Sequence, residues 1–190
     1  MPDALELLKI RRSVKPIEMT GPAPSAAEIE TMLTIASRVP DHGKLAPWRF
    51  LVFEGGGRER AGRLALDIKL RDYPALDETG RHAELTRFSR APLVVAVISR
   101  AAPHAKIPEW EQQLSAGAAA MALVVAANAS GYAASWITEW YAYDRAVLDR
   151  LGLAPHERIA GFVHIGRPRK PPEERDRPAL ADIVTRYPAS

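Results

Sequence analysis

The 190-residue sequence predicts an α+β fold: a central, mainly antiparallel sheet flanked by helices. Three observations lead there. The strand-like runs are few and strongly apolar. The helical segments between them carry explicit start and stop signals. The two kinds do not alternate in the strict strand–helix–strand order that builds a parallel sheet. Residues 1–190 are expected to form a single domain, with 166–190 as a C-terminal arm.

Each element follows from local chemistry. Asp3 and Glu6 stand at capping-box spacing, and Ala4, Leu7 and Leu8 recur at helical period, so a first helix begins near Asp3. Lys15 to Pro24 contains Pro16, Gly21, Pro22 and Pro24 and is neither regular helix nor central strand. Ser25 and Glu28 open a second helix with an Ile29, Met32, Leu33, Ala36 stripe, and Pro40 lies beyond its end. Trp48 to Glu54 reads as a strand stopped by Gly55-Gly56-Gly57, with a helix following from Arg58 to about Leu70. Asp72 to Arg90 is polar and broken at Tyr73-Pro74, and is expected to be part helix and part mobile cover.

Leu93 to Ser99 is a continuous β-branched run, the mark of a buried strand. After a loop from Pro103 to Pro108, a long helix runs from about Glu109 to Ser130. It is apolar on every side between Ala116 and Ala127, which predicts full burial or an interface. Gly131 ends it, and Tyr132 to Ile137 reads as a strand. Asp144 caps a short helix to Leu151, closed by Gly152, and Ile159 to Ile165 is the last strand. The remainder, Gly166 to Ser190, is rich in proline and arginine. It keeps Leu180, Ile183, Val184 and Tyr187, so it is expected to pack on something.

Composition narrows the chemistry. Apolar residues make up 47% and charged ones 26%, an ordinary globular balance. With no cysteine, disulfides, thiolate zinc, iron–sulfur clusters and cysteine nucleophiles are excluded. Two-electron chemistry would therefore need a bound organic cofactor or a metal. The histidines (His42, His82, His104, His156, His164) are scattered without a metal-ligand spacing. The start, MPDALELLKIRRS, does not read as a signal peptide, and Ala116 to Ala127 is too short to span a bilayer. A cytoplasmic protein without membrane contact is expected. The net charge is +3, but acidic and basic residues are interspersed and no nucleic-acid motif stands out, so no nucleic-acid partner is expected. A phosphate-bearing small ligand needs far fewer cations.

Four segments could carry function. Arg11-Arg12-Ser13-Val14-Lys15 gathers three cations and a hydroxyl at a helix end. It suits a phosphate, though cations also favour a helix C-terminus for its dipole alone. Arg38-Val-Pro-Asp-His42 leads through Lys44 and Ala46 to Pro47-Trp48. Here His42 reads equally as a loop or capping histidine, and Trp48 reads as core. Gly131 to Glu139 follows the long apolar helix, and Pro171 to Pro178 carries Arg175 and Arg177, with Arg167 and Arg169 as competitors. Gly55-Gly56-Gly57-Arg58 imitates a dinucleotide fingerprint but has Arg60 where the third glycine belongs, so it reads as a turn.

In order and spacing these segments resemble the nitroreductase family, specifically its small single-domain FMN-dependent subgroup. The resemblance implies that Arg11, Ser13 and Lys15 hold the phosphate, ribityl chain and pyrimidine edge of FMN, with Arg12 lining the site. Arg38 and His42 become flavin-contacting candidates. The backbone of Trp136, Ile137 and Thr138 would pass flavin N5, and Arg175 and Arg177 would complete the phosphate site. Two departures concern the pocket: Lys44 and Ala46 replace Asn and Gln, and Glu139 stands where relatives often have Gly, so its carboxylate could face the pocket.

The resemblance further implies a homodimer with FMN at the subunit interface and NADH or NADPH as donor. Hydride would pass through flavin N5 in a ping-pong cycle to a small-molecule acceptor such as a nitroaromatic or quinone. No catalytic side chain is required, because the flavin carries the chemistry. Other FMN reactions on the same fold (dehalogenation or flavin breakdown) and a non-enzymatic basic binding protein are the alternatives.

Overall fold

In the computed structural model, which describes residues 3–187, β5 (Arg158–Pro168) is the axis of the sheet. It pairs on one side with β3 (Leu93–Ser99) and on the other with β4 (Ala133–Ile137), while β3 pairs onward with β2 (Trp48–Phe53). All of these pairings are antiparallel, and β1 (Met19–Thr20) adds a short antiparallel pairing with Arg167 and Pro168. A single parallel bridge ties Ser13 to Ala134. The expected α+β architecture is present, with α1 (Ala4–Ile10), α2 (Ala26–Ala36), α3 (Gly56–Asp72), α4 (Glu78–Leu85), α5 (Glu109–Ala129), α6 (Arg145–Arg150) and α7 (Leu180–Ile183) around the sheet.

Strand periodicity divides the core. In β3, Leu93, Val95 and Val97 face a cluster with Ile29 and Met32 of α2 and Ala119, Ala120, Leu123 and Ala127 of α5. Val94, Ala96 and Ile98 face the opposite cluster, with Phe53, Phe88, Tyr141 and Phe162 stacked at 5.0–6.3 Å between ring centroids. Both faces are covered, which is why β3 reads as an unbroken apolar run. Trp48 packs against the first cluster, as core.

The helix ends follow the capping chemistry. Asp3, Asp77 and Asp144 accept from the backbone N–H groups of Glu6, Gly80 and Val147, and Ser25–Glu28 forms a reciprocal capping box. Four expectations need correction or completion. First, α3 begins at Gly56 and ends at Asp72, because only Gly55, at φ 47°, makes the turn and the next two glycines are already helical. Second, in the 72–90 segment, expected to be part helix and part mobile cover, the helix is present as α4, capped at Asp77 and packed on α3. Third, β5 continues to Pro168 because β1 gives its end a partner. Fourth, of the two expectations for Ala116 to Ala127, full burial does not hold, because Met121 is exposed and continues an apolar stripe with Trp110 and Leu114 at helical spacing; the interface alternative stays open.

The arm leaves the sheet after Pro168. Leu180, Ile183, Val184 and Tyr187 remain exposed, so their apolar surface is not covered by the described residues. No helix among these residues is long and apolar enough to cross a membrane.

Two predictions concern this frame. A Cβ at Gly62 would overlap the Leu85 carbonyl where α3 and α4 cross. Gly62→Ala should lower stability by about 3 kcal/mol, read from the urea midpoint, since the helices must part to admit one methyl. Glu157 accepts two 2.7 Å hydrogen bonds from Arg49 and one of 2.9 Å from the Ala154 N–H, tying the start of β5 to β2. The Arg49 guanidinium first, aided by the Ala154 N–H and Arg100, outweighs burial and holds the Glu157 carboxyl at about 2. Because this folded value lies below the ordinary one, the stabilisation is present at neutral pH and lost as pH falls from about 5 towards about 2. Melting temperature against pH should show that slope in the parent protein and a flatter one in Glu157→Gln.

Candidate functional site

The site begins where α1 stops. Arg11 leaves helical geometry at φ −58°, ψ 140°, and its N–H still donates to the Leu7 carbonyl, so the chain turns sharply into an extended segment. That segment runs beside β4, with the Val14 N–H 3.4 Å from the Ala134 carbonyl. Extended geometry alternates the side chains: Val14 and Pro16 are buried, whereas Ser13 and Lys15 are exposed on the other face. The arm returns to the same corner. Ser13, Lys15, Lys170 and Arg175 line a cavity of about 230 Å³ together with Glu18 and Glu173, and Lys170 Nζ lies 3.4 Å from Glu173.

The two neighbouring arginines differ. Arg12 donates at 2.8 Å to the Lys9 and Arg11 carbonyls and pairs with Glu174, so it pins the arm to the end of α1. Its buried Nε has no partner among the described residues. Arg11 stands near two more cations. Burial, then the charges of Arg177 and Arg12, push its guanidinium below the ordinary arginine value. Cations that depress one another in this way favour an anion between them, and a phosphate offers bidentate acceptors for arginine. Arg167, one competitor for the role, lies 4.1 Å over the Tyr132 ring and donates to the Gly131 carbonyl.

From this corner β4 leads to the second group. Trp136 turns its indole over Gly161, where any side chain would collide with the ring, and Nε1 donates at 3.0 Å to the Ala160 carbonyl. Ile137 makes the last ladder pair with Phe162, and Thr138 lies beyond it, its hydroxyl accepting from Tyr143 at 2.9 Å. Beside Trp136 opens a cavity of about 630 Å³ between the N-terminal half of α5 and the start of β5, lined in part by Glu109, Gln113, His156 and Arg158. Glu139 does not offer a free carboxylate to a pocket: Arg87 and Arg90 both bind it.

The third group sits elsewhere. Arg38 and His42 are exposed on the loop after α2, and His42 Nδ1 lies 2.8 Å from Glu111 at the start of α5. The loop is rigidly organised. Asp41 accepts from the Leu45 and Ala46 N–H groups, both at 2.9 Å, and Lys44 and Ala46 take left-handed φ values of 55° and 45°. Non-glycine residues seldom adopt that geometry, and strain of this kind gathers at functional sites. Ser115 of α5 accepts from Trp48 and donates to the Pro40 carbonyl, fixing the loop's base.

The structure thus brings Arg11, Arg12, Ser13, Lys15, Arg175 and Arg177 to one corner, with Trp136, Ile137 and Thr138 reached along β4. It does not bring Arg38 and His42 to them. α1 lies against Val125 to Ala129, whereas His42 meets Glu111. At 1.5 Å per residue these positions are about 20 Å apart along α5. Sequence reasoning missed Asp41, Glu111, Lys170, Glu174, Arg87 and Arg90. Asp41, a loop aspartate two residues ahead of a glycine, carried a usable local signal; Glu111, Glu174, Arg87 and Arg90 meet their site partners across long sequence separations.

The sequence profile of the Nitroreductase family matches residues 8–167. YdjA of Escherichia coli (strain K12), named as an NAD(P)H nitroreductase, is 36% identical over 173 residues, covering 88% of this chain and 89% of its own. A nitroreductase-like family protein of Bacillus cereus superposes with a TM-score of 0.82 at 22% identity, over 98% of this chain and 97% of that one. A nitroreductase-type structure from Desulfovibrio desulfuricans, solved with FMN, gives 0.74 at 22% identity, over 100% and 99%. The match over most of the chain, together with a relative this similar, establishes that the protein belongs to the nitroreductase family.

Proposed function

We propose that this protein is an FMN-dependent NAD(P)H oxidoreductase whose flavin is held between two copies of the chain. The observation that carries the reading is the corner around Arg11, where Arg11, Arg12 and Arg177 crowd together beside Ser13, Lys15 and Arg175. Glu174 answers Arg12 there, and the remaining cations fit a phosphate monoester. FMN is such a ligand, and the family and its FMN-bound fold relative fit that assignment.

In this reading Arg11 grips the phosphate, Ser13 adds a hydrogen bond, and Arg175 and Arg177 close over it from the arm. Lys15, one residue beyond the buried Val14, offers a positive charge to the pyrimidine edge of the ring. The backbone of Trp136 to Thr138 lies along the reactive edge, and the cavity beside Trp136 provides room for a planar acceptor. Bound FMN would supply hydride chemistry, taking electrons from NADH or NADPH and delivering them, in a ping-pong cycle, to an acceptor such as a nitroaromatic or a quinone.

The second copy is needed for two reasons. His42 meets Glu111, about 20 Å along α5 from the end that receives α1, so in this reading Arg38 and His42 are set apart from the phosphate corner of their own chain and serve the partner's flavin. The exposed apolar residues of α1 (Leu5, Leu8, Ile10), the α5 stripe and the arm (Leu180, Ile183, Tyr187) also need cover.

Purified protein should bind FMN, seen as flavin absorption that survives desalting, and the colour should bleach with NADH or NADPH without oxygen. Colourless protein that gains no absorption on incubation with FMN would refute the reading. Arg11→Ala should weaken FMN binding by about 1.5–3 kcal/mol, or roughly ten- to a hundredfold in Kd, the worth of a hydrogen bond to a charged group. Unchanged affinity would put the phosphate elsewhere.

A further inference from the structure

Beyond the last β4 pair the chain enters a charged clamp. Glu139 accepts from Arg87 and from Arg90 Nη1 at 2.8 Å, with Arg90 Nη2 at 3.4 Å from its other oxygen. Arg87 also binds Glu84 at 2.7 and 2.9 Å, and the Trp140 indole donates to Glu84 at 3.0 Å. Lys69 stands 4.8 Å over the Trp140 ring on the outer side. Next in sequence, Tyr141 is fully buried in the aromatic cluster, and Tyr143 holds the Thr138 hydroxyl. Through Glu139 and Trp140 the loop from Thr138 to Tyr143 is therefore fastened to α4 and the segment after it.

The clamp is close to charge-balanced, two carboxylates facing two guanidiniums. Glu84 is 5% exposed, and Arg87, Arg90 and Glu139 are half-buried, so solvent screens these charges less than it would on an open surface. Burial alone would push the Glu84 carboxyl up, but the hydrogen bonds from Arg87 and Trp140 outweigh it and hold it below the usual range. Burial first, and then the neighbouring Arg87 charge, push the Arg90 guanidinium down. Two carboxylates and two guanidiniums thus answer one another, and removing one leaves a net charge in place.

We propose that Arg87 and Arg90, acting through Glu139, are positioning residues that fix the Trp136–Thr138 backbone against the flavin ring and whose charge balance with Glu139 sets the flavin's midpoint potential. The inference rests on the FMN reading. The flavin gains negative charge on reduction, so a nearby net charge acts on its reduced form directly. Removing the Glu139 charge leaves an excess of positive charge and favours reduced flavin. Removing an arginine leaves an excess of negative charge and disfavours it.

The test is the midpoint potential of bound FMN in Glu139→Gln and Arg90→Gln, measured with a reference dye. Glu139→Gln should raise the preference for reduced over oxidised flavin by about tenfold, an upward shift of about 30 mV for a two-electron couple. Arg90→Gln should shift it downward by a similar factor. Arg87→Gln gives the same downward step from another position should Arg90→Gln not fold. A role in folding alone would move the variants in one direction together or leave the potential unchanged, and either result overturns the proposal. Parent protein that binds no FMN would instead defeat the FMN reading itself.

Discussion

The packing of α5 against the sheet is the constraint from which the remaining arrangement follows. Alanines at 116, 119, 120, 126 and 127 let the helix lie close on β3 and β5, where bulkier residues would hold it off. The helix is long, so its two ends reach different parts of the fold. Its C-terminal end receives α1 and, through the turn at Gly131, launches β4 alongside Ser13. Its N-terminal end receives the Asp41–Ala46 loop through Glu111 and Ser115. One rigid rod therefore holds the basic corner and the histidine loop apart, and the apolar stripe that α5 leaves uncovered is the surface through which a second copy would bring them together.

Charge pairing sorts the arginines into two populations. Arg49, Arg87, Arg90 and Arg12 meet carboxylates and serve the frame: they tie β5 to β2, the loop after β4 to α4, and the arm to the end of α1. Arg11 instead has no carboxylate partner among the described residues, and the charges of Arg177 and Arg12 act on it, with Glu174 answering both of those neighbours. Such an arrangement opposes folding in isolation and becomes favourable once an anion is bound, so the corner reads as a ligand site rather than as a support.

Much of this was legible from sequence because the signals were local. The Asp3 cap and the Ser25–Glu28 capping box started helices where expected, and the β-branched run at Leu93 marked a strand covered on both faces. Local signals failed where partners were remote. Glycines after β2 suggested a longer turn, yet two of them open α3; the polar 72–90 segment hid α4, whose packing depends on Gly62 admitting the Leu85 carbonyl. The basic corner could be read because its residues are consecutive. The clamp on Glu139 could not, since Arg87 and Arg90 lie some fifty positions upstream and only the fold brings them to it.

Mixed dimers reveal whether two copies of the chain share each flavin site. Arg11→Ala removes a group from the basic corner, and Arg38→Ala combined with His42→Ala removes the loop's groups. Each variant alone should bind FMN poorly at every site. When the two chains are co-expressed with different tags and the mixed dimer is isolated, one site combines both lesions and the other has neither, so flavin absorption should recover to half the parent occupancy. Mixed dimers that bind no more FMN than either variant alone would contradict the shared site and return Arg38 and His42 to a purely structural role.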